Sequence, residues 1–131
     1  MLTDPIADFL IQIKNAYRAG KNTLVLPYSK LKEALAHLLS TEGYIGKVEM
    51  QKIDKIKKSL FIGLLYDGKK PKLTEVVRIS KVGRRVYVGK KKIPYILGGM
   101  GIAILSTPKG LLTNKQTQKK GIGGELICKL W

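Results

Sequence analysis

Two hydroxyl side chains and one lysine occur within five consecutive residues, Ser106, Thr107, Pro108, Lys109 and Gly110. Hydroxyls, backbone amides and a lysine are groups that bind phosphates and the 2′-hydroxyls of RNA. An apolar run precedes this segment and a helix follows it, so we expect a loop between a strand and the positive end of a helix dipole. A second interpretation stays open, in which the segment is an ordinary turn that binds nothing.

The helix after this loop is predicted from its two ends. Thr113 and Gln116 have the spacing of a capping box, and Gly121 closes the helix. The helix carries Lys115, Lys119 and Lys120. Lys119 and Lys120, in its last turn, either bind phosphate or interact with the negative end of the helix dipole, and both interpretations stay open.

Further candidate contacts lie before and after this segment. Gly123 and Gly124 have no Cβ atom and so let a bulky partner approach the backbone. Glu125 either accepts hydrogen bonds from a 2′-hydroxyl or a base edge, or pairs with a neighbouring lysine. Tyr87 either stacks on a base or a ribose, or belongs to the core, as aromatic residues of strands often do.

The charge of the chain favours a polyanionic partner for these residues. Its 25 Lys and Arg residues against 9 Asp and Glu residues give a net charge of +16. Residues 68–131 hold 15 of the basic and 2 of the acidic side chains, so this half carries +13. Such a field attracts nucleic acid, whereas a merely soluble surface intersperses both signs. We therefore predict that the second half faces the polyanion.

Residue counts argue against most catalytic sites. Cys128 is the single cysteine and His37 the single histidine, which excludes an internal disulfide and a zinc site built from several Cys and His ligands. The segment 63–69 has the spacing of a phosphate-binding loop, but Lys70 stands where Ser or Thr would hold magnesium. We predict that the chain is not an enzyme and has no cofactor, no metal site and no small-molecule substrate.

We predict the cellular location of the protein from its first residues and from its apolar runs. The chain begins with acidic residues and a helical pattern, unlike a signal peptide, and no uncharged stretch reaches the ~18 residues of a membrane span. We predict a soluble protein with no membrane partner, either cytoplasmic or made inside an organelle.

The pattern of apolar residues predicts an α+β fold with two small lobes. In residues 1–67 two amphipathic helices, the second capped by Ser29, accompany an edge strand at 23–26 and strands at 44–53 and 59–66. Residues 67–71 break the pattern and are the predicted linker. Residues 68–131 form a mainly β lobe with a short helix, and its strands are predicted at 73–79, 102–105 and 126–130.

Two separated motifs make the sequence similar to a known family, the small-subunit ribosomal protein numbered eight in its bacterial and plastid form. The first is Asp4-Pro5-Ile6-Ala7-Asp8 followed by Lys14-Asn15-Ala16. The second is the run from Ser106 through Gly110 to Leu111-Leu112-Thr113, followed by Gly121-Ile122-Gly123-Gly124-Glu125. The resemblance covers essentially the whole chain.

The resemblance implies a structural constituent of the small ribosomal subunit that binds the central domain of small-subunit ribosomal RNA and supports assembly. It also implies neighbouring small-subunit proteins as partners and, in some members, repression of the protein's own operon mRNA through the same surface. The implied location is the cytoplasm, or the plastid stroma for an organellar source. The implied RNA contacts are Ser106, Thr107, Lys109 and Gly110, supported by Gly123, Gly124 and Glu125, with further contacts at Thr3, Asp4, Asn15, Arg18 and Lys30.

Two residues depart from the pattern of this family. Thr117 stands in the short helix where the family generally has a small residue, and Lys129 stands where an aromatic residue is usual. We expect these changes to affect the packing of the helix and any stacking contact from the last strand.

Overall fold

A computed structural model of the protein describes residues 5–81, 83–89 and 101–131. The described residues form two compact units, Asp8–Thr74 and Glu75–Trp131, and the second also includes residues 5–7. Helices and antiparallel sheets occur together, which confirms the predicted α+β class. The domain boundary predicted between residues 67 and 68 stays a prediction.

The first unit contains two helices and a three-stranded antiparallel sheet. Its elements are α1 (Pro5–Arg18), β1 (Thr23–Pro27), α2 (Lys30–Thr41), β2 (Val48–Lys52), β3 (Lys58–Gly63), β4 (Tyr66–Asp67) and β5 (Lys70–Pro71). The strand order β1-β3-β2 confirms that the strand predicted at 23–26 lies at an edge. The predicted cap of α2 is present, because the Ser29 hydroxyl accepts a hydrogen bond from the Lys32 amide at 3.1 Å.

Two segments of the first unit differ from the prediction. β2 begins at Val48 rather than at 44, because the backbone before it closes α2: the Tyr44 amide donates to the Leu39 carbonyl at 2.9 Å, and Ser40 Oγ donates to the Gly46 carbonyl at 2.8 Å. Residues 67–71, the predicted linker, lie in the β4–β5 hairpin: Asp67 ends β4, residues 68 and 69 form the turn, and β5 follows. Gly68 in the turn has a φ of +65°.

The second unit is mainly β, as predicted. Its elements are β6 (Val76–Arg78), β7 (Tyr87–Val88), β8 (Ile102–Thr107), β9 (Gly110–Thr113), α3 (Asn114–Lys120) and β10 (Gly124–Leu130). The strand order is β6-β10-β8-β9, and β7 also pairs with β10. All of these pairings are antiparallel.

The interior of the second unit is built on the two central strands. Ala103 and Leu105 of β8 and Leu126 of β10 form a buried apolar cluster, against which Val86 and Trp131 pack. Cys128 is fully buried in β10, which agrees with its prediction as a small core residue. The two central strands therefore contribute the buried core of this unit.

The residues that depart from the family pattern are accommodated. Thr117 is fully buried in α3, and its hydroxyl donates to the Asn114 carbonyl at 2.8 Å, so no polar atom of it lacks a partner. Lys129 lies in β10 between Ala103 of β8 and Val77 of β6.

Candidate nucleic-acid interface

The segment 106–110 is a tight hairpin between two strands rather than a loop between a strand and a helix. Thr107 ends β8 and faces Gly110, the first residue of β9, so that only Pro108 and Lys109 form the turn. Thr107 Oγ1 donates to the Gly110 carbonyl at 2.8 Å and accepts from the Lys109 amide at 3.1 Å. Gly110 has a φ of +102°, which a residue with a Cβ rarely adopts.

The expectation that this turn lies at the positive end of a helix dipole is wrong. β9 separates the turn from α3, and Thr113, which caps α3, pairs with Ile104, three residues back along β8 from Thr107. Three strand residues span ~10 Å, which takes the turn beyond the range of the dipole. The capping box itself is confirmed, because Thr113 Oγ1 accepts from the Gln116 amide at 3.2 Å and Gln116 Oε1 accepts from the Thr113 amide at 2.9 Å. The amino end of α3 is thus occupied by its own cap.

The hairpin turn lies beside the start of β10, and β7 pairs with β10 on its other side. Glu125 pairs with Ser106 on one side and with Tyr87 on the other, and Gly124 pairs with Val88. A shallow depression of about 480 Å³ lies at this junction. Its lining contains seven of the residues predicted to contact RNA, together with Val88: Tyr87, Ser106, Thr107, Pro108, Gly123, Gly124 and Glu125.

Two side chains of this depression are open to a ligand. Tyr87 is 70% exposed, so its ring belongs to the surface and not to the core. Ser106 is exposed, and its hydroxyl makes no hydrogen bond with another residue of the described chain. An exposed ring and a free hydroxyl that line the same depression suit stacking on a base together with a hydrogen bond to a sugar or a base.

The two glycines of this site have a structural role that the sequence did not predict. A Cβ at Gly124 would overlap the Ser106 carbonyl and lie 3.0 Å from Thr107 Cγ2. A Cβ at Gly123 would overlap the Val88 carbonyl. The glycines let β10 approach the two neighbouring strands, so the approach of a partner is not needed to explain them.

The carboxylate of Glu125 is bonded to other side chains of the second unit. This carboxylate accepts from the Ser80 hydroxyl and, at 3.2 Å, from the Arg85 guanidinium. Ser80 is fully buried, and its Oγ accepts from the Val86 amide at 3.2 Å. Of the two alternatives for Glu125, the ion pair has the wrong partner, because the cation is Arg85 and not a lysine. Ser80 and Arg85 were missed because nothing in the local sequence links them to a residue 40 or more positions away.

The described surface of the second unit is strongly basic. Its exposed cations lie at the turn, along α3 and between β6 and β7, and Arg85 is the one that pairs with Glu125. Among the residues that the structure describes, the exposed cations of this unit are Lys81, Arg84, Arg85, Lys109, Lys115, Lys119 and Lys120. The unit that contains the Ser106 hydroxyl and the Tyr87 ring therefore also presents phosphate-binding charge on its surface.

The remaining predicted contacts are not part of this depression. Asn15 and Arg18 lie on α1 and Lys30 begins α2, and all three are exposed on the first unit. Thr3 and Asp4 lie outside the described residues. These five assignments stay predictions.

Within residues 5–81, 83–89 and 101–131, no group of three His, Cys, Asp or Glu side chains is placed to hold a metal ion. In the same part of the chain, no helix is long and apolar enough to cross a membrane.

Comparison with known proteins agrees with the resemblance seen in the sequence. The model of the family described as ribosomal protein S8 matches residues 4–131. The protein named small ribosomal subunit protein uS8 from Dictyoglomus turgidum is 52% identical over 131 residues, covering 99% of this chain and 98% of that protein. The protein of the same name from Thermus aquaticus is 48% identical over 139 residues, and the match covers 100% of this chain and 100% of that protein. The chain therefore belongs to the ribosomal protein S8 family.

Proposed function

We propose that this protein is a structural constituent of the small ribosomal subunit that binds the central domain of small-subunit ribosomal RNA and supports subunit assembly. The observation that carries the proposal is the junction of the β8–β9 turn with β7 and β10. There the free Ser106 hydroxyl and the exposed Tyr87 ring lie around one depression, in a unit with a large excess of positive charge. The family and its relatives named as small-subunit proteins support the same conclusion.

Some side chains of this surface support specific RNA binding, and others support binding to any RNA. Ser106 and Tyr87 offer a hydrogen bond and a stacking face, which distinguish one irregular RNA structure from another. Lys109 and the lysines of α3 offer charge, which binds any phosphate backbone. Because the turn is closed by the bonds of Thr107, the protein presents a preformed surface and reads RNA mainly by shape.

We propose that the protein binds RNA and catalyses no reaction. Burial raises the pKa of the Cys128 thiol to about 12, which makes it a poor nucleophile. Glu125, the carboxylate among the described residues that line the depression, is bonded to Ser80 and Arg85 rather than free to act as a base.

We place the protein in the cytoplasm, within the small subunit and next to other small-subunit proteins, or in the plastid stroma for an organellar source. The same surface can hold a messenger RNA that mimics the ribosomal site, so repression of its own operon is a second role of the same residues. Competition between the ribosomal helix and the leader of the operon mRNA tests this role. It is refuted if the leader fails to displace the ribosomal fragment.

The test of the main proposal is quantitative binding of the full-length protein to the central-domain RNA, to an unrelated structured RNA of equal length and to duplex DNA, all at one stated salt concentration. Specific affinities exceed nonspecific ones by roughly 10³-fold or more at physiological salt. Footprints are expected on one irregular helix of the central domain. Equal affinity for the three nucleic acids, or magnesium-dependent cleavage of the RNA, would contradict the proposal.

A further inference from the structure

The strand β1 (Thr23–Pro27) is an unprotected sheet edge. In the described chain it pairs with β3 alone, and it contains no charged residue. Proteins normally protect such edges with lysines, bulges or a covering element, because an open edge pairs with any suitable strand. Here Pro27 interrupts the edge only at its last residue.

The hydrogen bonds at both ends of β1 show which of its groups are used by β3. The Asn22 carbonyl accepts from the Leu64 amide at 2.9 Å, and the Tyr28 amide donates to the Lys58 carbonyl at 3.1 Å. Positions 22 and 28 therefore both face β3. In an antiparallel pair, successive residues alternate between facing the partner strand and facing away from it.

This alternation leaves a defined set of groups on the outer edge. Leu24 and Leu26 face β3, whereas Thr23, Val25 and Pro27 direct their backbone groups outwards. Pro27 has no N–H, which agrees with its outward position because no bond to β3 is lost there. Two N–H groups and three C=O groups, from three residues, are thus available to one short added strand.

The space beside this edge is shaped for an added strand. A depression of about 420 Å³ lies between β1 and α1, where the helix contributes Ala16 and Ala19 as well as Gln12 and Asn15. Because alanine side chains are small, Ala16 and Ala19 leave space between the helix and the strand. A second depression of about 780 Å³ adjoins the same strand at the β2–β3 turn.

The second depression is lined by unusually exposed apolar side chains. Val25 is 51% exposed, Ile53 is 59% exposed and Ile56 is 91% exposed. Asp54 holds the turn that presents Ile56, because its carboxylate accepts from the amides of Ile56 and Lys57 at 2.7 and 2.6 Å. A fixed turn that exposes aliphatic side chains is typical of a contact surface between proteins.

Charge indicates the chemistry of the partner. Residues 52–58 contain four lysines and one aspartate, and Lys57 lines the depression together with Lys58. A segment with acidic side chains complements this turn, and apolar side chains of the same segment complement Val25, Ile53 and Ile56.

We propose that the outer edge of β1 pairs with a short extended segment of another small-subunit protein, whose apolar side chains enter the depression at Val25 and Ile56 and whose acidic side chains face the lysines of residues 52–58. This proposal rests on the proposed function, which places the chain next to other small-subunit proteins. Main-chain pairing supplies affinity, and the depression selects the side chains.

Two other occupants fit this edge less well. A second copy of the chain would bring together two proteins of charge +16. RNA would meet the lysines of residues 52–58, but it gains little from the aliphatic side chains of this surface, and β1 itself offers it no charged side chain. Both remain distinguishable outcomes of the experiment.

The experiment uses the full-length protein in small subunits reconstituted from purified ribosomal RNA and purified small-subunit proteins. A photoreactive benzoylphenylalanine at position 25 marks the occupant of the edge, which mass spectrometry then identifies. In parallel, Val25→Pro removes an outward N–H without removing a bond to β3, and Val25→Thr is the matched control that keeps both the N–H and the branched shape. Affinity of each variant for the central-domain RNA alone is measured separately.

We expect the crosslink to join position 25 to an extended acidic and apolar segment of one other small-subunit protein. Val25→Pro should lower the occupancy of that protein in the particles by up to about tenfold, the effect of one lost hydrogen bond, and Val25→Thr should not. Crosslinks to RNA, to a second copy or to nothing overturn the proposal, as does equal occupancy with both variants. Failure of the unmodified protein to bind the central-domain RNA contradicts the proposed function instead.

Discussion

Gly124 lies so close to Ser106 that a single added methyl group would overlap the Ser106 carbonyl oxygen. The contact joins the start of β10 to the end of β8, the point where the predicted RNA-binding side chains converge. The position of the Ser106 hydroxyl therefore depends on a glycine in another strand.

Gly124→Ala is expected to weaken both folding and specific RNA binding. The added Cβ must displace the backbone of Ser106, and overpacking of this kind costs about 1–3 kcal/mol. Urea unfolding measures the first effect, and binding to the central-domain RNA measures the second. Gly83→Ala is the matched control, because a Cβ there meets nothing within 4 Å and the change should cost less than about 0.5 kcal/mol. Equal losses for the two variants would show that the close approach is unimportant.

Ser106→Ala is expected to lower specific RNA affinity without lowering stability. The Ser106 hydroxyl has no hydrogen bond to another described residue, so its loss removes only a contact to the ligand, about 0.5–1.5 kcal/mol or up to tenfold in affinity. Affinity for an unrelated RNA should hardly change. Lys70→Ala on the β4–β5 hairpin should instead weaken binding to both RNAs about equally, since it removes charge alone. An equal loss on both RNAs for Ser106→Ala would contradict this division.

Thr107 should behave differently from its neighbour, because its hydroxyl is already used by the turn. Thr107→Val removes the bonds to the Gly110 carbonyl and the Lys109 amide, so stability and specific affinity should fall together, each by roughly 0.5–1.5 kcal/mol. Thr107→Ser keeps the hydroxyl and should restore most of both. A Thr107→Val variant with normal thermal stability and weak binding would instead indicate a direct contact to RNA.

Glu125→Ala is expected to destabilise the second unit. The change leaves the fully buried Ser80 hydroxyl and the Arg85 guanidinium without their acceptor, a loss of about 1–3 kcal/mol. Glu125→Gln keeps an acceptor for Ser80 and should recover much of that loss in urea unfolding. If the two variants are equally unstable, the ion pair with Arg85 dominates and the bond to Ser80 contributes little.

Elements with local end signals were predictable from the sequence. Ser29 and Thr113 each accept a hydrogen bond from an amide three residues away, and Gly121 ends α3 with a φ of +67°. α1 and α2 were predictable also from the helical spacing of their apolar residues. Each of these signals joins residues three or four positions apart, so a short window of sequence contains all of the residues that produce it.

Features that depend on strand pairing were not predictable in this way. The four residues of β9 have no distinct pattern, and only their register with β8 turns the expected loop into a hairpin. Glu125 meets Ser80 and Arg85 because β10 lies next to both β6 and β7. The sequence indicated which side chains could bind RNA, whereas strand order decided which of them lie together.

The stability of the protein should fall at high pH because of Cys128. Burial raises the pKa of its thiol from 9.0 to about 12, so the unfolded chain loses this proton first as the pH rises. The free energy of unfolding is then highest below pH 9 and decreases between pH 9 and 12. Burial also raises the pKa values of Tyr17 and Tyr44, which adds to the decrease above pH 10.

Cys128→Ala separates these contributions. The variant is expected to be less stable at pH 7.5, because a buried side chain is truncated, but to lose less stability between pH 8.5 and 10, where the thiol of the unfolded chain ionises. Urea unfolding at several pH values gives both slopes. A thiol reagent should label the native protein far more slowly than the unfolded chain, since the buried thiol stays protonated. Identical pH slopes for the two proteins would show that Cys128 does not control the alkaline loss of stability.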